Sequence, residues 1–174
     1  MALAVCLLFD TRSDRLLRDL WSRLEDAGVS TLATHTHRRH HPHLSYVVLR
    51  SWDLARAQQA LSALPAAEPF TMSFHGTLAF PRGRAALAPA VTADMALRQW
   101  RIVTALKATG AELHRNYETG HWVPHVSVAT RAQGAQLATV VKAIADVLPL
   151  TVRVNRAAIV DSATGQTWPL PHIP

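Results

Sequence analysis

The chain has 174 residues, 49% of them hydrophobic, and a formal net charge of +6. This length suits one domain with a substantial core, and the lack of long polar or repetitive tracts excludes a disordered chain. Its apolar runs are too short to span a membrane, and the single cysteine, Cys6, excludes an internal disulfide, which favours a cytoplasmic location.

The first element expected is a buried strand over residues 2–9. The apolar stretch MALAVCLLF lacks the basic leader that is typical of a secretory signal. A helix should follow, capped by Thr11 or Ser13 and ended by Gly28. Its apolar positions share one face and are Leu17, Leu20, Trp21 and Leu24.

The rest of the chain alternates in the same way. Strands are expected at residues 43–50, 70–80, 85–91, 125–130 and 150–160, with a short one in the tail. Helices are expected after the caps Asp53 and Thr92 and again after residue 130. The last helix should bury Leu137, Val140, Val141 and Ile144.

Both halves of the chain repeat one order: strand, helix, loop, strand, helix, Leu-Pro, strand. Such a repeat predicts two similar lobes related by an approximate twofold axis, over residues 1–82 and 83–174. No linker separates them, so we expect a single α+β domain with a central cleft and strands that can exchange between lobes. Its sheets should be largely antiparallel and covered by helices.

The repeat carries a short motif, PHLSYV at residues 42–47 and PHVSVA at residues 124–129. Side chains alternate across a strand, so the histidine and serine of each copy should project from the same face. A twofold arrangement would bring the two copies to one cleft. We call the four residues the motif quartet: His43, Ser45, His125 and Ser127.

Two imidazoles beside two hydroxyls suit metal-free phosphodiester chemistry. One histidine can take a proton from the attacking oxygen while the other gives a proton to the leaving oxygen. The hydroxyls can donate hydrogen bonds to the phosphate oxygens as charge develops there. The near-symmetry of the motifs leaves open which histidine is the acid. Arginine accounts for all the basic residues except Lys107 and Lys142, and its planar fork also suits phosphate.

The paired motifs resemble the two-histidine (2H) phosphoesterase superfamily, which includes 2′-5′ RNA ligases and RNA 2′,3′-cyclic phosphodiesterases. That family carries His-x-Thr/Ser twice, and HWVPHVSVAT is similar to its second motif. The segments EPFTMSFHGTLAFP and TVRVNRAAIVDSATGQTWPL also resemble the family's strands. The resemblance covers essentially the whole chain.

The resemblance implies His43 and His125 as the catalytic pair and Ser45 and Ser127 as phosphate ligands. It further implies an RNA or nucleotide substrate with a 2′,3′-cyclic phosphate or a 2′-5′ linkage. No metal, cofactor, membrane or obligate protein partner is implied. The chain departs from the family by carrying serine in both motifs.

A second departure lies three residues after the second motif serine. Many RNA-ligase-like members have arginine there, whereas this chain has Thr130, followed by Arg131. A shift of one residue reverses the side of a strand to which a side chain points.

Arg131 is a candidate substrate contact, and so are three other residues. Arg38 and Arg39 lie in the loop HTHRRHHPH before the first motif, and Trp122 precedes the second; an arginine can bind phosphate and an indole can stack on a base. The histidines of that loop leave metal binding open as an alternative. Another alternative is a binding module for RNA ends or phosphorylated ligands without turnover.

Overall fold

The computed structural model of the chain describes residues 2–174, and Met1, the first residue of MALAVCLLF, lies outside it. The α-helices within this range are α1 (Thr11–Asp26), α2 (Leu54–Ser62), α3 (Ala93–Ala108) and α4 (Ala135–Ala145). The strands are β1 (Leu3–Phe9), β2 (His43–Ser51), β3 (Phe70–Phe80), β4 (Arg84–Pro89), β5 (Glu112–Leu113), β6 (Val126–Ala129), β7 (Leu150–Asp161) and β8 (Thr167–Pro169). The predicted alternation of strands and helices is confirmed, and β5 is an addition.

The strands form one antiparallel sheet that is built around β1. Every residue of β1 is buried, and the strand pairs with β2 along one edge and with β7 along the other. From β2 the pairing continues through β6, β4 and β3 to β7, so the path of paired strands returns to β1. The predicted α+β class with antiparallel strands is therefore confirmed.

The two faces of β1 have different surroundings. Leu3, Val5, Leu7 and Phe9 join the main core, in which α1 pairs with α4 and α2 pairs with α3. The alternate residues Ala4, Cys6 and Leu8 form a smaller apolar cluster with Ala158 of β7 on the opposite face. The helices thus cover one face of the sheet, and the opposite face is free of α-helices within residues 2–174.

The division into lobes stays a prediction, and strand pairing crosses its boundary. β3 belongs to residues 1–82 but pairs with β4 and β7, and β1 also pairs with β7. No helix within residues 2–174 is both long and apolar enough to cross a membrane.

Two local predictions need correction. Helix α1 is capped by Asp10, whose side chain accepts a hydrogen bond from the Ser13 N–H at 2.8 Å, rather than by Thr11 or Ser13. Ser13 is buried, and its Oγ accepts from the Arg153 N–H instead. Val141 is 43% exposed, because α4 turns only a narrow stripe toward the core. The predicted caps Asp53 and Thr92 are confirmed.

The turn between β3 and β4 is pressed against the segment that follows β6. Gly83 has a φ of +71°, and a Cβ on it would lie 2.1 Å from the Ala132 carbonyl oxygen. The Ala132 N–H donates to the Gly83 carbonyl at 2.7 Å, which closes this contact. Only glycine permits both the left-handed conformation and the close approach.

We expect Gly83→Ala to lower the free energy of unfolding by about 2–5 kcal/mol, from backbone strain plus the clash. Urea denaturation measures this loss. The matched control is Gly110→Ala, which also has a positive φ but has no atom within 4 Å of the added Cβ. It should cost only about 1–2 kcal/mol. Equal losses in the two variants would contradict the close approach of the turn.

Candidate active site

The motif quartet is assembled by one register of two neighbouring strands. Leu44 of β2 is the antiparallel partner of Val126 of β6, and both are fully buried in the main core. In an antiparallel pair the residue after one partner faces the residue before the other. Ser45 therefore lies across from His125, and His43 lies across from Ser127. Because side chains alternate, the quartet projects from the face opposite the core.

Both imidazoles are oriented by their own backbones. Nδ1 of His43 lies 2.7 Å from the His41 carbonyl oxygen, and Nδ1 of His125 lies 2.8 Å from the Val123 carbonyl oxygen. A carbonyl oxygen can only accept, so Nδ1 carries the proton in each neutral ring. Nε2 is then left with its lone pair, ready to accept a proton. Each histidine bonds to the carbonyl two residues before it, so the two sites share one design.

Both imidazoles favour the neutral form. Burial lowers the pKa of His43, the bond to the His41 carbonyl opposes this, and the charge of His125 adds to the lowering. Burial also lowers the pKa of His125, again against its backbone bond, and the Arg84 guanidinium lowers it further. The two rings stand at diagonal positions across the paired backbones, and the charge of His125 acts on His43. Two protons on the pair are therefore disfavoured, and one proton is the most that it readily holds.

The serine backbones are held from the helix side by two indoles. Trp122 Nε1 donates to the Ser45 carbonyl at 3.0 Å, and Trp21 Nε1 donates to the Ser127 carbonyl at 3.1 Å. The Trp122 ring also packs on Tyr46, with centroids 5.8 Å apart. Trp122 thus braces the first motif strand, and stacking on a base stays a prediction for it.

Cys6 lies beneath the first serine. Its Sγ is 3.6 Å from Ser45 Oγ, and burial raises the pKa of the thiol to about 12. A thiol that stays protonated can donate to the serine oxygen. The hydroxyl proton of Ser45 is then free to point at a ligand.

Three further residues border the quartet, and sequence reasoning did not assign them to the site. Burial raises the pKa of Tyr117 to about 12, with Cys6 adding to the rise and Ser45 and Arg84 opposing it, so a neutral phenol lies beside Ser45. The Phe80 ring packs on His125 with centroids 4.8 Å apart. Arg84, at the start of β4, is near enough to lower the pKa of both His125 and Tyr117.

With this geometry established, sequence comparison identifies the family. The model of the 2′-5′ RNA ligase superfamily matches residues 13–166. The chain belongs to this superfamily. The resemblance to two-histidine phosphoesterases is thereby confirmed, while no curated protein sequence matches the chain.

Solved structures with the same fold accompany the superfamily match. TT0787 of Thermus thermophilus aligns over 100% of both chains with a TM-score of 0.64 and 14% identity. LigT of Escherichia coli, solved with NADP+, aligns over 97% of this chain and 96% of its own with a TM-score of 0.59 and 12% identity. Usb1 of Kluyveromyces marxianus, solved with uridine monophosphate, covers 97% and 98% with a TM-score of 0.55 and 14% identity.

In this superfamily member the histidine-rich loop is held near its middle by two hydrogen bonds. Arg18 of α1 donates to the His40 carbonyl at 3.1 Å, and Arg39 donates to the Thr164 carbonyl at 2.7 Å. Arg38 is exposed, and neither it nor Arg39 has a hydrogen bond to the quartet within residues 2–174. Over the same range no three His, Cys, Asp or Glu side chains gather as metal ligands, so the metal alternative gains no support.

Arg131 lies outside the immediate quartet. It is exposed and lines an open recess of about 560 Å³ together with Arg82, Arg84 and Thr130. Thr130 donates through both its N–H and its Oγ1 to the Ser30 carbonyl, at 2.9 and 3.1 Å. The roles of Arg38, Arg39, Trp122 and Arg131 as substrate contacts all stay predictions.

We expect both motif imidazoles to titrate below the ordinary pKa of about 6.5, since burial disfavours their charged forms. In His125→Ala the pKa of His43 should rise, because a nearby positive charge and some burial are removed. Nuclear magnetic resonance of the ring nitrogens measures both curves. His75→Ala, at an exposed position of β3, is the control and should leave them unchanged. Motif histidines that titrate independently of each other would contradict the proximity.

Proposed function

We propose that the chain is a metal-independent phosphodiesterase that acts on RNA or nucleotides bearing a 2′,3′-cyclic phosphate or a 2′-5′ linkage. His43 and His125 would act as general base and general acid. The carrying observation concerns two imidazoles whose Nε2 atoms have no hydrogen-bond partner within residues 2–174: one starts β2, the other directly precedes β6, and each lies across from a serine. Membership of the superfamily supports phosphoester or ligase-like chemistry as the reaction class.

The proposed reaction needs one proton on the pair at its start. Water attacks phosphorus as the neutral imidazole takes a proton from it through Nε2. The protonated imidazole donates its Nε2 proton to the leaving 2′ or 3′ oxygen, and the bond from phosphorus to that oxygen breaks. The products are a phosphomonoester and a free hydroxyl, and the proton has moved from one imidazole to the other. If a 5′-hydroxyl takes the place of water, the same proton transfers would join it to the cyclic phosphate, and a 2′-5′ linkage would form as the 3′ oxygen leaves.

The electrostatics of the quartet support one histidine as general base and the other as general acid. Because the charge of His125 lowers the pKa of His43, a single proton suits the pair better than two. A phosphodiester brings a negative charge, which favours protonation of one ring beside it. The two backbone carbonyls keep both Nδ1 atoms occupied, so that proton transfer is confined to Nε2.

Neutral donors surround the position where charge would develop. Ser45 and Ser127 can donate to the non-bridging phosphate oxygens, and Tyr117 lies beside Ser45 as a neutral phenol. Arg84 supplies a positive charge that acts on both His125 and Tyr117. LigT and Usb1 were solved with a dinucleotide and a mononucleotide, which is consistent with a nucleotide or RNA ligand here.

We expect His43→Ala and His125→Ala each to lower turnover of an RNA ending in a 2′,3′-cyclic phosphate by about 10²–10⁴-fold, the usual worth of one positioned proton transfer. The assay contains a chelator, and product release is followed by chromatography. His75→Ala should retain wild-type turnover. Wild-type turnover in both motif variants would refute the mechanism, and tight binding of the RNA without hydrolysis by the native chain would favour the binding-module alternative.

The pH dependence gives a separate test. Since kcat/KM reports the free enzyme, it should follow a bell whose maximum lies below about pH 6.5, because both imidazole pKa values are lowered. The pH profile of kcat reports the enzyme–substrate complex and should have its maximum at higher pH. This is because the negative charge of bound phosphate favours the imidazolium and raises the imidazole pKa values. Initial rates from about pH 4 to about pH 9 at constant ionic strength, which cover both sides of the expected maximum, measure both bells. A kcat/KM that climbs steadily above pH 7 would contradict the paired histidines.

A further inference from the structure

Three arginines converge outside the motif quartet. Arg82 lies in the turn between β3 and β4, Arg84 is the first residue of β4, and Arg131 follows β6. All three are exposed and line the open recess of about 560 Å³ that also includes Thr130. We call this site the arginine recess. It is large enough for a phosphate group with part of its nucleotide.

Nothing within residues 2–174 neutralises these three charges. Three arginines elsewhere have acidic partners: Arg18 pairs with Asp14, Arg23 with Asp146 and Arg98 with Asp94. No side-chain hydrogen bond or ion pair of the described residues involves the arginines of the recess. Several like charges held around one hollow repel each other, and an anion in the hollow relieves that repulsion.

The recess is built on a stiff frame. The Gly83 turn is locked on Ala132, and Thr130 is locked on Ser30 through two donors to one carbonyl. Arg82 has a φ of 67°, a conformation that is unusual for a residue with a side chain and is imposed by this turn. The arginine backbones are therefore fixed before any ligand arrives, which lowers the entropy cost of binding.

The N-terminal end of α4 adds to the positive potential of the arginine recess. The helix begins after Gly134, which lines the recess and offers no side-chain cap to the first N–H groups. The helix dipole favours an anion at this point, although the Gln136 and Leu137 N–H groups already donate to the Gln133 and Gly134 carbonyls. This contribution accompanies the arginines and would not make a site without them.

The recess adjoins the quartet through Arg84. Arg84 and Ala86 are two positions apart on β4, so they share a face, and Ala86 is the direct partner of Ser127. The charge of Arg84 is also felt by His125. A substrate whose reacting phosphate lies at the quartet can therefore reach the recess with its neighbouring group.

We infer that the arginine recess binds a second phosphate of the same substrate, the internucleotide phosphate next to the reacting end of an RNA strand. This inference rests on the proposed function and narrows its substrate class to oligonucleotides, in preference to mononucleotides. Arginine forks can hold a phosphate through paired hydrogen bonds, and the backbone phosphate is present whatever the base. Recognition at the recess should thus be independent of sequence.

Binding tests the recess without requiring turnover. The probe is a fluorescent trinucleotide ending in a 3′-phosphate, and its affinity is compared with those of a 3′-mononucleotide and a 3′,5′-bisphosphate mononucleotide. We expect Arg82→Ala/Arg131→Ala to weaken trinucleotide binding about tenfold or more and mononucleotide binding less than about twofold, since only the longer ligand spans both sites. Arg131→Ala alone should give an intermediate loss. Arg56→Ala on the exposed side of α2 is the matched control and should bind like the native chain.

The salt dependence supplies a second readout. The slope of log affinity against log salt for the trinucleotide should become shallower by about 0.7 for each arginine–phosphate pair that the double variant removes. If the bisphosphate behaves like the trinucleotide, a terminal phosphate suffices and the internucleotide assignment is overturned. Equal losses for short and long ligands, or no loss in a double variant with a native circular dichroism spectrum, would overturn the recess as a phosphate site.

These outcomes remain distinct from a failure of the proposed function. The protein could fail to hydrolyse any cyclic phosphate and still bind the trinucleotide more tightly than the mononucleotide, with the difference dependent on the recess arginines. That result would support the recess as a phosphate site and refute the phosphodiesterase function. The protein could instead hydrolyse cyclic mononucleotides and RNA equally well, with the same turnover in the double variant. That result would support the phosphodiesterase function and refute the recess as a phosphate site.

Discussion

The pairing of Leu44 with Val126 is the contact on which the candidate site depends. Side chains on a strand alternate, so a slip of one residue in either strand would turn its histidine and serine into the core. Both partners have no exposed surface, which makes such a slip costly in buried apolar area. Trp21 and Trp122 add a second constraint, because each donates its indole N–H to the carbonyl of a motif serine. Packing on the apolar face of β2 and β6 therefore sets the register of the two strands, and this register determines where the motif quartet lies on the opposite face.

The site is kept nearly free of charge until a ligand arrives. Burial holds the thiol of Cys6 and the phenol of Tyr117 in their protonated, neutral forms and disfavours charge on both imidazoles. In a partly dry site a phosphodiester then interacts with hydroxyls and with one imidazolium that its own charge helps to form. Arg84 is the permanent charge that acts on His125, and it lies toward the arginine recess. The same burial that lowers the imidazole pKa values thus strengthens their response to phosphate.

Local patterns predicted much of this architecture. Alternation along residues 43–50 placed His43 and Ser45 on one face, and the repeat placed a second such strand at residue 125. Arg84 could not be assigned in this way, because β4 lies beside β6 only through the non-sequential order β2-β6-β4. The error at the start of α1 has a similar origin: Asp10, Thr11 and Ser13 are all good caps, and the choice depends on Ser13 being buried against Arg153 of the distant β7.

The departure at Thr130 acquires a physical meaning from the fold. The threonine hydroxyl donates to the Ser30 carbonyl beside the backbone N–H of the same residue, and an arginine at this position would keep only the backbone bond. Positive charge is nevertheless present at this edge of the sheet, supplied by Arg131 one residue later and by Arg82 and Arg84 across the turn. Phosphate responds to charge and donors at a location and does not depend on which strand supplies them. A protein without arginine at this family position can therefore still have a positive potential at this edge of the sheet. The condition is that the neighbouring turn is held as rigidly as the contact between Gly83 and Ala132 holds it here.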